Sequence, residues 1–410
     1  MSLAKPDILA AFAFALSILP VEGGQPCIVQ KPKEAIACEA MDDGGTRWRL
    51  TFPPSSTLES SMVFSLPSRV RLIIGPPPDH PTAVIRAPGR VISAQMAADA
   101  FLELRDLTLE SVAEGQCGAP CNGGVVSVRG GVLVVTGTQV AMRGGRIEGR
   151  GGGLYASQTA VKINPGSTLV LTDNAAGGLG GGAFFEDATL EGGDLRLEGN
   201  VAWCGGGLAA SNTQMDVAHL HARRNRAFSE GGSLCLLSSY RPTEFRRAGF
   251  FGNMAPRGSG VYIRDAGANL NNALFAANRG SVIHVSDDAT LNLHFVTLAK
   301  NLAHALATDG NGYINGWAVL LYKNKGGNCR DADAFLAVSV SDDWTCPGLP
   351  AVSFSLQPFK GAGGETFYAP TRGSRLLGLL PKPLCLYPLD LLGEHRHAPC
   401  APGAVNRPVP

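Results

Sequence analysis

Two histidines one residue apart, His219 and His221, are followed by Arg223 and Arg224, preceded by Asp216, and trailed by Arg241, Arg246 and Arg247. Imidazole beside carboxylate serves general acid–base catalysis and metal binding, while clustered guanidinium groups grip carboxylate or phosphate. Residues two apart on a strand share a face. Leu220 and Ala222 claim the interior, so both histidines face outward. The first expectation is a solvated strand face. The functional alternative is an anionic-glycan patch made by His219, His221, Arg223, Arg224, Arg246 and Arg247. The outward position four before the recurring asparagine described below carries Val170, Arg196, His221, Gly249, Leu274 and Thr297, a mixture that shows no repeated ligand ladder.

Glycoside hydrolysis needs two carboxylates across a sugar. The acid pairs Asp287 with Asp288 and Asp342 with Asp343 are adjacent residues, which on a strand point to opposite faces, so both read as turn or strand-end carboxylates. No Gly-x-Ser-x-Gly elbow is present, and the glycine-rich segments open strands in a repeating register instead of preceding helices as a phosphate loop does. No catalytic residue, metal or cofactor is therefore expected.

The elements that position these side chains are repeats. A unit recurs as LVLTDNAA, LRLEGNVA, LHARRNRA, AGFFGNMA, ALFAANRG and VTLAKNLA, with its asparagine at Asn174, Asn200, Asn225, Asn253, Asn278 and Asn301. Successive asparagines lie 26, 25, 28, 25 and 23 residues apart by subtraction, the period of one solenoid coil. The residues five and three before each asparagine are apolar, for example Leu195 and Leu197, which is a strand with one buried face. Glycine clusters such as GGLGGGAFF and WCGGGLAA follow, where the chain must turn close to the next coil. Strands that recur once per coil in one direction must pair with their counterparts above and below, so the expected fold is all-β, a right-handed parallel β-helix of about ten to eleven coils. The asparagines then form a structural ladder of buried side-chain amides.

The composition agrees: of 410 residues, 52 are glycine and 27 proline, 45% are hydrophobic, and only 17% are charged with a net charge of +1. Such a balance supplies no basic field for nucleic acid. Residues 1–24 read as a signal peptide, with Lys5, an apolar run from Ile8 to Leu19, and Pro20 before Gly23 and Gly24. That run is too short to span a bilayer, and Pro381, Pro383 and Pro388 interrupt the Leu-rich stretch near the end, so no segment of the mature chain is expected to cross a membrane. Residues 25–321 read as the β-helix with its N-terminal cap, and 322–410 as an irregular C-terminal capping and tail region.

The ten cysteines, with no CxxC pair, point to disulfides and an oxidising compartment. Neighbour pairing is the simplest hypothesis and gives Cys27 with Cys38, Cys117 with Cys121, Cys329 with Cys346, and Cys385 with Cys400. For Cys204 and Cys235 a disulfide and two buried thiols stand as equal alternatives.

The units FFGN, FAAN, GGGAFF and GGGLAA resemble the repeats of polymorphic outer-membrane proteins and related bacterial secreted right-handed β-helix proteins. GGNCRDADAFLAVSVSDDWTC, and the later element that carries Asp390, Gly393, Arg396, Cys400, Gly403 and Ala404, resemble the closing region of those secreted proteins. The resemblance implies an exported chain, secreted, extracellular or at a cell surface, with the periplasm as an alternative. It also implies a non-catalytic adhesive scaffold whose partners are surface glycans or proteins of a host or neighbouring cell. The competing expectation is a carbohydrate-active enzyme, a polysaccharide lyase or hydrolase, or a glycan-binding protein using the outer sheet face. The Asn-Thr-Asp, Gly-His-Gly and Arg-Ile-Lys motifs of pectin-cleaving β-helix hydrolases are absent.

Overall fold

In the computed structural model, residues 37–41, 46–112, 121–361, 364–396 and 399–406 are described. The leader, Cys27 and Cys117 lie outside them, as does the side chain of Cys38. The period-two apolar pattern folds as expected, into a parallel β-solenoid of about 11 turns. Each central coil presents three faces. The first is built from strands such as Leu208–Ser211, and the second and third from the two halves of longer strands such as Gln214–Arg223. Register runs straight up the stack: on the third face Leu169 pairs with Leu195, Leu195 with Leu220, Leu220 with Ala248, and Ala248 with Ala273. All of these side chains are buried, and the rings of Phe250 and Phe275 stack 4.3 Å apart at 3°. A fourth, narrow sheet runs from Arg146–Ile147 to Arg226–Glu230, its last three strands directly after Asn174, Asn200 and Asn225.

The asparagines stand between the third face and this narrow sheet. Asn200 Nδ2 donates to Asn225 Oδ1 (3.0 Å) and to the Leu171 carbonyl (2.8 Å), and the Asn200 amide also donates to Asn225 Oδ1 (3.1 Å). The same pattern repeats from Asn174 to Asn301 and continues into Asn324, one rung beyond the last unit recognised in the sequence. Every amide in the ladder thus has partners although all seven residues are buried, which is what makes a polar column tolerable inside. Glycine is required where coils touch: a Cβ on Gly206 would lie 2.4 Å from the Arg226 carbonyl oxygen and 2.5 Å from that of Gly232.

Parallel pairing runs past Leu321, through Ala334–Ala337 and Val340–Ser341. There the ladder is capped. Asn324 Nδ2 donates to Asn328 Oδ1, and Asn328 in turn donates to Asp342 Oδ1 and, through its amide, to Asp343 Oδ2. Asp343 also accepts from Thr345, and Cys329 is bonded to Cys346 beside it. Asp288 accepts from Asn311 at a turn. At the other end Ala37–Ala40 pairs antiparallel with Arg47–Thr51.

The last segment folds back along the outside of the third face. A hairpin of Leu356–Lys360 and Thr366–Pro370 is followed by irregular chain with one 3-10 turn at Lys382–Leu384. Ala369, Ala404 and Val405 pack on Leu274 and Ala276, while Leu356 and Leu376 pack on Leu320 and Tyr322. Arg396 is the rivet. Its guanidinium donates to Asn272 Oδ1 (2.8 Å) and to the Gly403 and Ala404 carbonyls, and lies 4.2 Å over the Phe295 ring. Burial lowers its pKa to about 10, which leaves it charged at neutral pH. Asp390, fully buried, accepts from the Leu392, Glu394 and Asn406 amides and fixes the turn before it. Cys385 is bonded to Cys400 within this segment, and Cys204 to Cys235 on the solenoid, which decides between the two alternatives left open for that pair.

Candidate functional site

Where the returning tail stops short of covering the third face, a cleft of about 550 Å³ remains. Its floor is a grid of outward side chains from consecutive coils. Asp194, His219 and Arg247 stand in one register column, Val170, Arg196, His221 and Gly249 in the next, and Glu198, Arg223 and Phe251 in the third. The far wall is the tail, through Glu365, Phe367, Leu391 and Leu392.

The charges inside are mostly spoken for. His219 Nδ1 lies 2.5 Å from Asp194 Oδ1, and its Nε2 is shut from solvent with no polar partner. Glu365 Oε1 meets His221 Nε2 at 3.1 Å and Arg223 Nη1 at 3.2 Å, and Arg223 also donates to Glu198 at 2.6 Å. Burial pushes the His221 pKa down and outweighs the raising influence of Glu365. Burial pushes the Glu198 carboxyl up, but the hydrogen bonds from Arg223 and Arg224 outweigh it, so the group is held below the usual carboxylate range. Arg196 and Arg247 differ: neither side chain has a hydrogen-bonded or ion-paired partner among the described residues, and both line the cleft.

Of the residues singled out in the sequence, His219, His221, Arg223 and Arg247 come together here. Arg224 instead turns to Glu198 at the coil corner, and Arg246 pairs with Asp216 at 2.5 Å outside the cleft. Arg246 and Arg247 sit at a bend between Leu234–Phe245 and Ala248–Phe251, which sends their side chains apart, while Arg241 lies exposed within the former strand. The expectation of a solvated strand face needs correction for His221, which is enclosed by Glu365 and lies 5.4 Å from the Phe251 ring. The tail supplies the enclosure, and nothing local to His221 announces it.

Asp194, Glu198 and Glu365 are the participants the sequence reading passed over, and Arg196 was placed in the outward column without being singled out. A signal existed in the outward column itself. It turns apolar and buried at Leu274, and the neighbouring column does so at Phe295, which is what a covered face requires.

No family model, no curated protein and no solved structure matches the chain, so the resemblance to polymorphic outer-membrane-protein repeats gains no support from such comparisons. Among the described residues no helix is long and apolar enough to cross a membrane.

Proposed function

We propose that the protein is a non-catalytic binding scaffold acting outside the reducing cytoplasm, and that its cleft holds a short acidic sugar. The observation that carries this reading is the pair Arg196 and Arg247, cations that line a partly enclosed space and have no ion-paired partner among the described residues, whereas Asp194, Glu198 and Glu365 in the same cleft are all engaged. They stand two coils apart, roughly 10 Å along the stack, so they can hold separate carboxylates of one ligand. Phe251, Phe367 and Leu391 offer apolar surface to the carbon faces of a sugar ring. The disulfides Cys204–Cys235, Cys329–Cys346 and Cys385–Cys400 support an oxidising location, where an adhesive scaffold of this kind works.

The competing reading is a glycan-cleaving enzyme, and His219 against Asp194 is its best support, since a carboxylate on Nδ1 orients a general base. The geometry disfavours it. His219 Nε2 has no path to solvent, and Glu198, held ionised by two arginines, is unsuited to donate a proton to a leaving group. Calorimetric titration with trigalacturonate and with a neutral trisaccharide separates the readings. The acidic ligand is expected to bind, the neutral one not, and Arg196→Ala with Arg247→Ala to weaken binding at least about tenfold. Equal binding of both ligands overturns the proposal. So does release of unsaturated or reducing ends from acidic polysaccharides by the wild type but not by His219→Ala.

A further inference from the structure

A second surface lies around the corner from the cleft, on the narrow sheet that follows the asparagine ladder. Each ladder amide is buried, so its chain neighbours point to solvent. The residues directly after successive asparagines form one column, Arg226, Met254, Arg279, Leu302 and Lys325, tied by backbone hydrogen bonds from each to the asparagine of the coil before. All five are exposed. Cation and apolar side chain thus alternate, placing a positive charge every second coil, or about 9.5 Å. The residues directly before the asparagines add Lys300 and Lys323 on the same corner, both exposed. No carboxylate among the described residues forms an ion pair with the side chain of Arg226, Arg279, Lys300, Lys323 or Lys325, although the Lys323 backbone amide donates to Asp342 and the Lys300 and Lys323 ammonium groups lie over the Tyr322 ring; cations such as Arg71, Arg86 and Arg257 all have a carboxylate partner. Beside the column stand Trp203 and Phe228, 58% and 53% exposed on neighbouring strands, with the Arg226 guanidinium 4.9 Å over the Phe228 ring.

We propose that this corner is a binding track for an extended acidic polysaccharide lying parallel to the solenoid axis. A polyuronate, with a carboxylate on every ring, presents every second charge at close to the two-coil spacing, and its rings can lie on Met254 and Leu302 between the cations and on the two aromatic rings at the Arg226 end. A nucleic acid fits less well, because one strand of a duplex brings a phosphate about every 3.4 Å and the whole field of the chain, at +1, is nearly neutral. From Arg226 to Lys325 the track covers four coil steps, about 19 Å. Affinity therefore rises with oligomer length until that span is filled.

The proposal does not depend on the cleft, and the test keeps the two apart. Binding of polygalacturonate and of its oligomers is measured with wild type, with Arg226→Glu/Arg279→Glu/Lys325→Glu, and with Arg241→Ala, each checked for an unchanged melting transition. Since all three replaced residues are exposed, the fold should survive. The triple variant is expected to bind the polymer at least about tenfold more weakly and to lose about two units of the slope of log affinity against log salt, while Arg241→Ala, outside both surfaces, stays within twofold. Unchanged polymer binding by the triple variant, affinity independent of oligomer length beyond a trimer, or tighter binding of an oligodeoxythymidylate of equal charge overturns the proposal. If the cleft reading alone fails, trimer binding is lost while the length and salt dependence remain.

Discussion

His221 shows how a side chain acquires its properties from what lands on it. On an isolated strand it would titrate as an ordinary imidazole. Under the tail it loses water on one side, and the loss of hydration disfavours its charged form more than Glu365 favours it, so its pKa falls. The unfolded chain then binds more protons than the folded one once pH drops below about 6.5, and stability must decrease in that direction. His294, also lowered by burial, contributes with the same sign. The urea midpoint is accordingly expected to fall between pH 7.5 and 5.5, and to fall less in His221→Gln. An identical fall in both proteins would mean that His221 remains as hydrated as a surface residue.

At the level of the repeated element, the asparagine ladder is the feature on which each coil's turn depends. Asn225 joins two neighbours: it accepts from the Asn200 amide and side chain, and it donates to the Leu197 carbonyl and to Asn253 Oδ1. Leucine would fit the apolar surroundings yet leave donors and acceptors of three coils without partners in a dry interior. Asn225→Leu is therefore expected to cost about 3–5 kcal/mol in equilibrium unfolding, far above the cost of an exposed replacement such as Arg241→Ala. Similar losses for the two would refute the ladder's role. The chain that builds each turn, asparagine, outward residue, inward small residue and glycine cluster, also sets which side chains reach solvent at the corner, so the ladder and the cationic track share one local cause.

Over the whole molecule, the returning tail is the decisive feature. It buries an outer face that the repeats leave apolar at Leu274, Phe295 and Leu320, and its edge creates the far wall of the cleft. Its own hold is local: Arg396 on Asn272 and Phe295, the Gly403 amide on the Ala318 carbonyl, and the disulfide between Cys385 and Cys400, 15 residues apart. In the chain-entropy account a loop of that size is worth about 3 kcal/mol. Removing it through Cys385→Ser/Cys400→Ser is expected to speed amide exchange at Leu391, Arg396 and Gly403 while the ladder amides stay protected, because no coil depends on the tail for its pairing. Loss of protection throughout the solenoid would show that tail and coils unfold as one unit.

Periodic local chemistry was legible from the residues alone. Apolar residues at fixed offsets from Asn174 to Asn301 declare the parallel strands and the ladder, since each unit carries its own instructions and stacking merely repeats them. The rung at Asn324 escaped because Cys329 and the capping acids interrupt the unit that follows it. The outward direction of His219 and His221 was equally readable, whereas of the basic residues grouped with them only Arg223 and Arg247 share their cleft. What surrounds the two histidines was not readable. Glu365 stands 144 positions from His221, and Asn272 lies 124 positions from Arg396. Contacts over such distances depend on where a non-repeating segment comes to rest, and that is settled by the apolar outer surface available to it and by a few buried polar locks, quantities that exist only once the coils have stacked.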